Sequence, residues 1–275
     1  MGPTYSEREA RNVMLVARVF ITGSSGGLGL LAGQRLLAEG HQVVLHARNQ
    51  KRGEETSAAA PSASAVVIGD LSSLAETRDV ADQANRLGPF DAVIHNAGVG
   101  DREGRIQTVD GLEHIFAVNV LAPYLLTALI EPPRRLVYLS SGMHLGGDPD
   151  FSDLLWRRRR WNGSQAYSDS KLFDTMLAFA VARIWPAVRS NAVDPGWVPT
   201  RMGGRGAPDD LELGVATQVW LAVSHDASAM VTGAFFHHKR QSQMHPAARD
   251  IAMHERLFRA CEEISRTQMP PTAKG

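Results

Sequence analysis

Tyr167 and Lys171 stand four residues apart in a stretch, Gln165 to Ile184, that reads as a helix. Their side chains therefore project from one face. A phenol has a reference pKa of about 10 and is a poor base near neutrality. A nearby ammonium favours the phenolate, so the spacing predicts that Lys171 lowers the pKa of Tyr167. Such a pair can give a proton to a carbonyl oxygen or take one from an alcohol. A tyrosine and a lysine at helical spacing also arise often by chance, so the pair needs support from other residues. Ser140 and Ser141 close a short apolar strand, Arg135 to Ser140. A hydroxyl at such a strand end can hydrogen-bond an oxygen on which negative charge develops.

A second cluster lies near the start. The apolar run Val19 to Thr22 leads into Gly23-Ser24-Ser25-Gly26-Gly27-Leu28-Gly29 and then directly into a helix, Gly27 to Glu39. A glycine-rich string between a strand and a helix is a much stronger signal than glycines alone. Gly23 allows a tight turn, Gly27 a close backbone approach to a pyrophosphate, and Gly29 close helix–strand packing. The helix N-terminus offers free N–H groups and partial positive charge to phosphates. The plainer alternative is a glycine-rich turn that holds no ligand.

These residues need a scaffold, and the alternation of short apolar runs with longer helical stretches supplies one. Further strands are expected at Gln42–Ala47, Val66–Ile68, Asp91–His95, Val188–Val193 and Thr232–Phe236. Helices are expected at Leu74–Leu87, Asp110–Leu129, Leu211–Val223 and Pro246–Ile264. Such alternation implies right-handed crossovers and a parallel sheet covered on both faces. The expected fold is α/β: a doubly wound parallel sheet of about seven strands flanked by helices, in one domain over residues 18–275. Residues 1–17 read as a short extra helix or a disordered leader.

Composition excludes several classes. The chain has 275 residues, and 29 Lys plus Arg balance 29 Asp plus Glu. No net field argues for nucleic acid or an anionic membrane. No apolar run reaches the roughly 20 residues that span a bilayer. The lone cysteine, Cys261, fits a reducing cytoplasm, and a cytoplasmic protein is expected. His237, His238, His245 and His254 lack a ligand spacing, so no metal site is expected.

Thr22 to Gly29 matches Thr-Gly-x-x-x-Gly-x-Gly, and the chain resembles the short-chain dehydrogenases/reductases. The resemblance continues through Asp70-Leu71, Asn96-Ala97-Gly98, Asn119, Ser140-Ser141, Tyr167-x-x-x-Lys171 and Pro195-Gly196. It implies a Rossmann-type fold, with Asn119, Ser141, Tyr167 and Lys171 as the catalytic group. Ser141 would polarise the substrate oxygen, with Ser140 supporting. Lys171 would also bind the nicotinamide ribose. Asn119 would perturb its helix and hold a water beside Lys171; a core-bridging asparagine is the plainer reading. Cofactor contacts are implied for Thr22, Gly23, Ser24, Ser25, Gly27, Leu28, Gly29, Asn49, Asp70, Leu71, Asn96, Ala97, Gly98, Pro195, Gly196, Val198 and Thr200. Relatives often carry Asn at the position of His95 and His at that of Asp194. The long segment 142–164 resembles the branch of retinol dehydrogenases and related carbonyl reductases, and is expected to border the substrate cleft. Dimers or tetramers through helix pairs are common among such proteins.

The ribose discriminator is expected at the end of the second strand. His46-Ala47-Arg48-Asn49 offers no acid there. Arg48 can fork onto a 2′-phosphate, with Lys51 and Arg52 adding charge, so NADP(H) is expected over NAD(H). Trp197, Met202 and Gly203-Gly204-Arg205-Gly206 suit a substrate flap over 197–213, or core packing at its base. The run Arg157 to Arg160 reads as a solvated loop, with an anionic substrate or a membrane surface as alternatives. The leading functional expectation is interconversion of a ketone or aldehyde and an alcohol by hydride transfer. A non-catalytic NADP(H)-sensing regulator is the alternative, although such proteins typically lose the Tyr or the Lys. An epimerase is disfavoured by the glycine spacing.

Overall fold

A computed structural model describes residues 16–272 of the chain. The leader expected over residues 1–17 lies almost wholly outside them. The elements in chain order are β1 (Arg18–Ile21), α1 (Gly27–Ala38), β2 (Gln42–Ala47), α2 (Gln50–Ala59), β3 (Ala65–Ile68), α3 (Leu74–Leu87) and β4 (Ala92–His95). A composite helix α4 follows, in three pieces: His114–Phe116, a π-helical Ala117–Leu121, and Ala122–Leu129. Then come β5 (Arg135–Leu139), a 3₁₀ turn (Gly142–Gly146), α5 (Gly163–Ile184), β6 (Arg189–Asp194), α6 (Leu211–Val223), β7 (Phe235–His237), β8 (Arg240–Gln241) and α7 (Ile251–Ser265).

The strands form one sheet in the order β3-β2-β1-β4-β5-β6-β7-β8. All neighbours are parallel except β7 and β8. The expected seven strands therefore become eight, because the turn at His238-Lys239 folds a two-residue strand back on β7. Ile21 of β1 pairs with Leu45 on one side and Ile94 on the other. The chain winds outward from β1 to β3 and then returns to β4, so the crevice between β1 and β4 is the topological switch point.

Alternation along β1 divides the core. Phe20 joins Val44, Val93, Leu136 and the inner faces of α3, α4 and α5. Val19 and Ile21 join Leu36 of α1 and Val215 and Val219 of α6 on the opposite face. Each such side chain contributes about 1.5–3 kcal/mol by leaving water. The C-terminal ends of the strands are thereby held in register by two dry layers.

Two expectations change. The helix expected from Asp110 begins at His114, because Gly111 sits at φ +75° in a turn and Glu113 caps the backbone N–H groups of Ile115 and Phe116. Helix α2 had no counterpart in the sequence reading. It is polar, with only Gly53 and Thr56 buried, and Asn49 caps it by accepting from Arg52 N–H at 3.0 Å.

Candidate active site

The glycine-rich turn leaves β1 at the switch point. Gly23 has φ +61°, and a Cβ there would lie 2.6 Å from the Ala97 backbone. A Cβ on Gly29 would lie 2.3 Å from Asn96 Nδ2 and 2.8 Å from the Gly23 carbonyl. Gly27, at φ +54°, faces the Thr200 side chain. Helix α1 starts at Gly27 with no side-chain cap, so its first N–H groups are free of one.

Several expected cofactor residues turn out to hold this turn in place. Thr22 Oγ1 accepts from Ala97 N–H at 3.0 Å, and Asn96 Nδ2 donates to the Thr22 and Gly23 carbonyls. Ser24 is fully buried; its hydroxyl donates to the Ile21 carbonyl at 2.8 Å and accepts from His46 N–H at 2.7 Å. His46 itself is a tie that sequence reasoning did not pick out. Its Nδ1 accepts from Gly23 N–H at 2.9 Å, so its Nε2–H donates to the Gly69 carbonyl, also at 2.9 Å. Burial pushes its pKa down to about 4, which keeps it neutral and in that tautomer. Asp70 uses one carboxylate oxygen to accept from Ser72 N–H at 2.9 Å, and the adjacent Leu71 is buried.

Arg48 emerges exposed from the end of β2, next to Asn49, and makes no hydrogen bond or ion pair among the described residues. Arg52 reaches further: its guanidinium donates to the Ser25 carbonyl at 2.5 Å and pairs with Glu55. Arg52 thus ties α2 to the glycine-rich turn, while Arg48 stands exposed at the end of β2. Leu28 packs on the α1–α6 side of the core.

The second half of the site hangs on β4, β5 and β6. Asn119 sits in the π-helical stretch of α4. Its side-chain amide accepts from Val99 N–H at 2.8 Å and donates to the Val99 carbonyl at 3.0 Å and to Ser170 Oγ at 3.0 Å. The helix is perturbed where that side chain is held against the 97–99 segment. Ser140 is buried, and its hydroxyl contacts the Lys171 carbonyl and Thr175 Oγ1, which clamps α5 to the end of β5. Ser141 lies outside that clamp. Its hydroxyl caps the 3₁₀ turn, accepting from Met143 N–H at 3.2 Å, and lies near enough to the Tyr167 phenol to act on its pKa.

Lys171 Nζ lies 5.7 Å from the Tyr167 ring centroid. It donates to the Leu139 carbonyl at 2.6 Å, and a Cβ on Gly98 would come within 3.6 Å of it. The expected lowering of the Tyr167 pKa does not occur. Burial of the phenol is the largest influence and pushes its pKa well up; the nearby Ser141 hydroxyl lowers it, and Asp101, Asp194 and Asp174 raise it further. The ammonium faces Leu139 and the sheet, so helical spacing gave proximity without orientation. Tyr167 is held as a neutral phenol, a proton donor.

The loop after β6 borders the same crevice. Gly196 is at φ +82°, where a Cβ would strike the Asp209 carboxylate. Pro195 precedes it; Val198 is buried and Thr200 Oγ1 accepts from Gly203 N–H. Trp197 is 55% exposed, with its indole N–H on the Gly203 carbonyl. Asp194 accepts from Gly196 N–H and lies 3.4 Å from His237.

The segment 142–164 divides in function. Its 3₁₀ turn carries Ser141 and the exposed Met143 and Leu145. The rest folds away onto α5 and α4: Phe151 packs at a tilt on Phe173, and Trp156 packs with Ile115 and Ala166. The arginine run is organised by Asp153, whose carboxylate accepts from the backbone N–H groups of Arg157, Arg158 and Arg159. Arg159 covers the Trp156 ring and pairs with Asp169. Among the described residues no three His, Cys, Asp or Glu side chains gather as a metal cluster, and no helix is long and apolar enough to cross a membrane.

A parallel sheet, a glycine-rich turn at its switch point and a Ser–Tyr–Lys group at its C-terminal edge define a dinucleotide-dependent oxidoreductase scaffold. The model of the short chain dehydrogenases matches residues 17–135. The "Uncharacterized oxidoreductase AN7799" of Emericella nidulans is 42% identical over 93% of this chain and 99% of its own. The "Short-chain dehydrogenase chry4" of Gibberella zeae is 39% identical over the same shares. The chain therefore belongs to the short-chain dehydrogenases/reductases and is an oxidoreductase of that family. A crystal structure from Mycobacterium paratuberculosis superposes with a TM-score of 0.79 at 28% identity, covering 92% of this chain and 95% of that one. A blue fluorescent protein from a metagenomic library, solved in complex with NADPH, superposes with a TM-score of 0.65 at 23% identity, covering 80% and 95%.

Proposed function

We propose that the chain is an NADP(H)-dependent reductase of ketones or aldehydes. The observation that carries the reading is the Ser141 hydroxyl placed near a neutral Tyr167 phenol, at the sheet edge that also bears the glycine-rich turn. The turn fits a dinucleotide: glycine at 23 and 29 lets it close tightly against Ala97 and Asn96, and the N-terminus of α1 is open to a phosphate. Thr22, Gly23, Ser25, Gly27, Asn96, Ala97, Gly98 and the Pro195–Thr200 loop would surround it. Arg48, exposed at the end of β2 with no ion pair among the described residues, favours a 2′-phosphate over a ribose hydroxyl, and Arg52 adds charge beside the turn although it is shared with Glu55. The structural neighbour solved with NADPH agrees with that choice.

When bound, the nicotinamide supplies the hydride. Ser141 would donate a hydrogen bond to the carbonyl oxygen, and Tyr167 would pass it the phenolic proton. Burial, which raises the Tyr167 pKa, keeps the phenol protonated at neutral pH, so the proton is in place before the hydride moves. Lys171 would hold positive charge next to the phenolate left behind. Asn119 anchors Val99 and Ser170, so it fixes α5 relative to the β4 end. Met143, Leu145, Trp197 and Met202 are exposed apolar side chains on loops leaving the ends of β5 and β6, and favour an apolar carbonyl compound.

The test follows absorbance of NADPH and NADH against a panel of apolar ketones and aldehydes. The expected result is NADPH oxidation with at least one member, and a tenfold or greater loss of NADPH preference in Arg48→Asp. An unchanged preference in that variant overturns the cofactor assignment.

A further inference from the structure

Asp174 lies three residues beyond Lys171 on α5, wholly inside the protein. Its side chain is 2% exposed and that of Lys171 is 6% exposed, with Oδ2 4.0 Å from Nζ. Its other oxygen, Oδ1, has no hydrogen-bond partner among the described residues. Buried polar atoms are almost always partnered, and an unpartnered buried carboxylate oxygen is costly. A neutral residue at this position would avoid that cost.

We infer that Asp174 is the buried counter-charge that keeps Lys171 an ammonium, and so is a positioning residue for the Tyr167–Lys171 pair. Among the described residues Lys171 Nζ has one other polar partner, the neutral Leu139 carbonyl, which cannot balance its charge. Among the described residues the charged group acting on Asp174 is Lys171. Tyr138 of β5 is fully buried, and burial pushes its pKa up. His95 of β4 packs at a tilt on Tyr138, ring centroids 4.7 Å apart, and contacts the Thr127 hydroxyl of α4; burial pushes its pKa down to about 3. Both are neutral. On α5 itself Tyr167 is a neutral phenol. Asp194 of β6 and Asp101 act on Tyr167, whereas the carboxylate that acts on Lys171 among the described residues is Asp174. Burial pulls the Lys171 pKa down and lifts that of Asp174 to about 7, while each partner holds the other in its charged form. Removing the carboxylate leaves only the first effect on Lys171, which then loses its proton at lower pH.

This inference rests on the reading of Lys171 as the partner of Tyr167, and the test separates the two. Turnover with NADPH and NADPH affinity are measured from pH 5.5 to 9.5 for wild type, Asp174→Asn, Asp174→Glu and Lys171→Met. Asp174→Asn is expected to retain NADPH binding at pH 6. Its alkaline loss of turnover is expected to move down by about one pH unit or more. Asp174→Glu, which restores a carboxylate, is expected to move the limb back toward wild type. If Asn at this site gives no folded protein, Asp174→Thr carries the same expectation. An Asp174→Asn profile that superimposes on wild type, with Lys171→Met inactive, overturns the counter-charge. Wild-type turnover in Lys171→Met overturns the pair instead.

Discussion

Replacing Gly29 by alanine sets two effects against each other. Gly29 is the third residue of α1, and alanine is favoured over glycine in a helix by about 1 kcal/mol. Against that, the new methyl would sit 2.3 Å from Asn96 Nδ2, 2.8 Å from the Gly23 carbonyl and 2.9 Å from Ser24 Cα. The Asn96 amide can swing aside, but only by giving up its bonds to the Thr22 and Gly23 carbonyls, each worth about 1 kcal/mol. The two backbone atoms cannot swing, and overpacking adds roughly 1–3 kcal/mol. The clash wins, and the net loss is about 2–4 kcal/mol. For a domain of this size that lowers the melting temperature by roughly 5–15 °C. Because the displaced atoms form the turn, NADPH affinity should fall at least tenfold with it. Gly40→Ala is the control: nothing lies within 4 Å of its Cβ, and its φ of +83° predicts only about 1 kcal/mol of strain. Thermal melts and fluorescence titration with NADPH decide the matter. A Gly29→Ala protein that melts and binds like wild type would refute the packing argument.

Two further outcomes follow from the same geometry. His46 and His95 are buried with pKa values lowered from 6.5 to about 4 and about 3. The unfolded chain binds those protons first, so their contribution to stability is complete above about pH 6.5 and lost as pH falls. Urea unfolding at pH 5 should show about 2 kcal/mol less stability for each than at pH 7, and His46→Gln should remove its share of that slope. Ser141→Ala should cut turnover about a hundredfold or more with little change in stability, because its hydroxyl faces Tyr167. Ser140→Ala should do the reverse: about 1–2 kcal/mol of stability lost, from the clamp on Lys171 O and Thr175, with turnover reduced far less.

What the sequence reveals is what local spacing controls. The strand–turn–helix at Thr22–Gly29 and the order of Asn119, Ser141, Tyr167 and Lys171 are legible because each motif lies within one or two adjoining elements. The remainder depends on contacts between distant segments. Helix α2 has no apolar period to announce it, since only Gly53 and Thr56 turn inward. The π-helical stretch depends on Val99, 20 residues from Asn119. The reach of Arg52 over Ser25 and the bond from Gly23 to His46 join β1 to β2 through space. The sign of the Tyr167 pKa is the clearest case. Four-residue spacing places an ammonium near a phenol, but burial and three carboxylates decide the direction. Asp174 left one trace, an acid three residues after the lysine in an otherwise apolar helix face, and its meaning appears only once both side chains are seen to be buried.

The central claim is that Tyr167 delivers the proton that accompanies hydride transfer. Tyr167→Phe removes the hydroxyl and keeps the ring, so NADPH should still bind within about threefold of wild type. Turnover on any carbonyl that the wild type reduces should fall by about a hundredfold or more, the ordinary contribution of a placed general acid. Wild-type turnover in Tyr167→Phe, with the same NADPH affinity, would contradict the account.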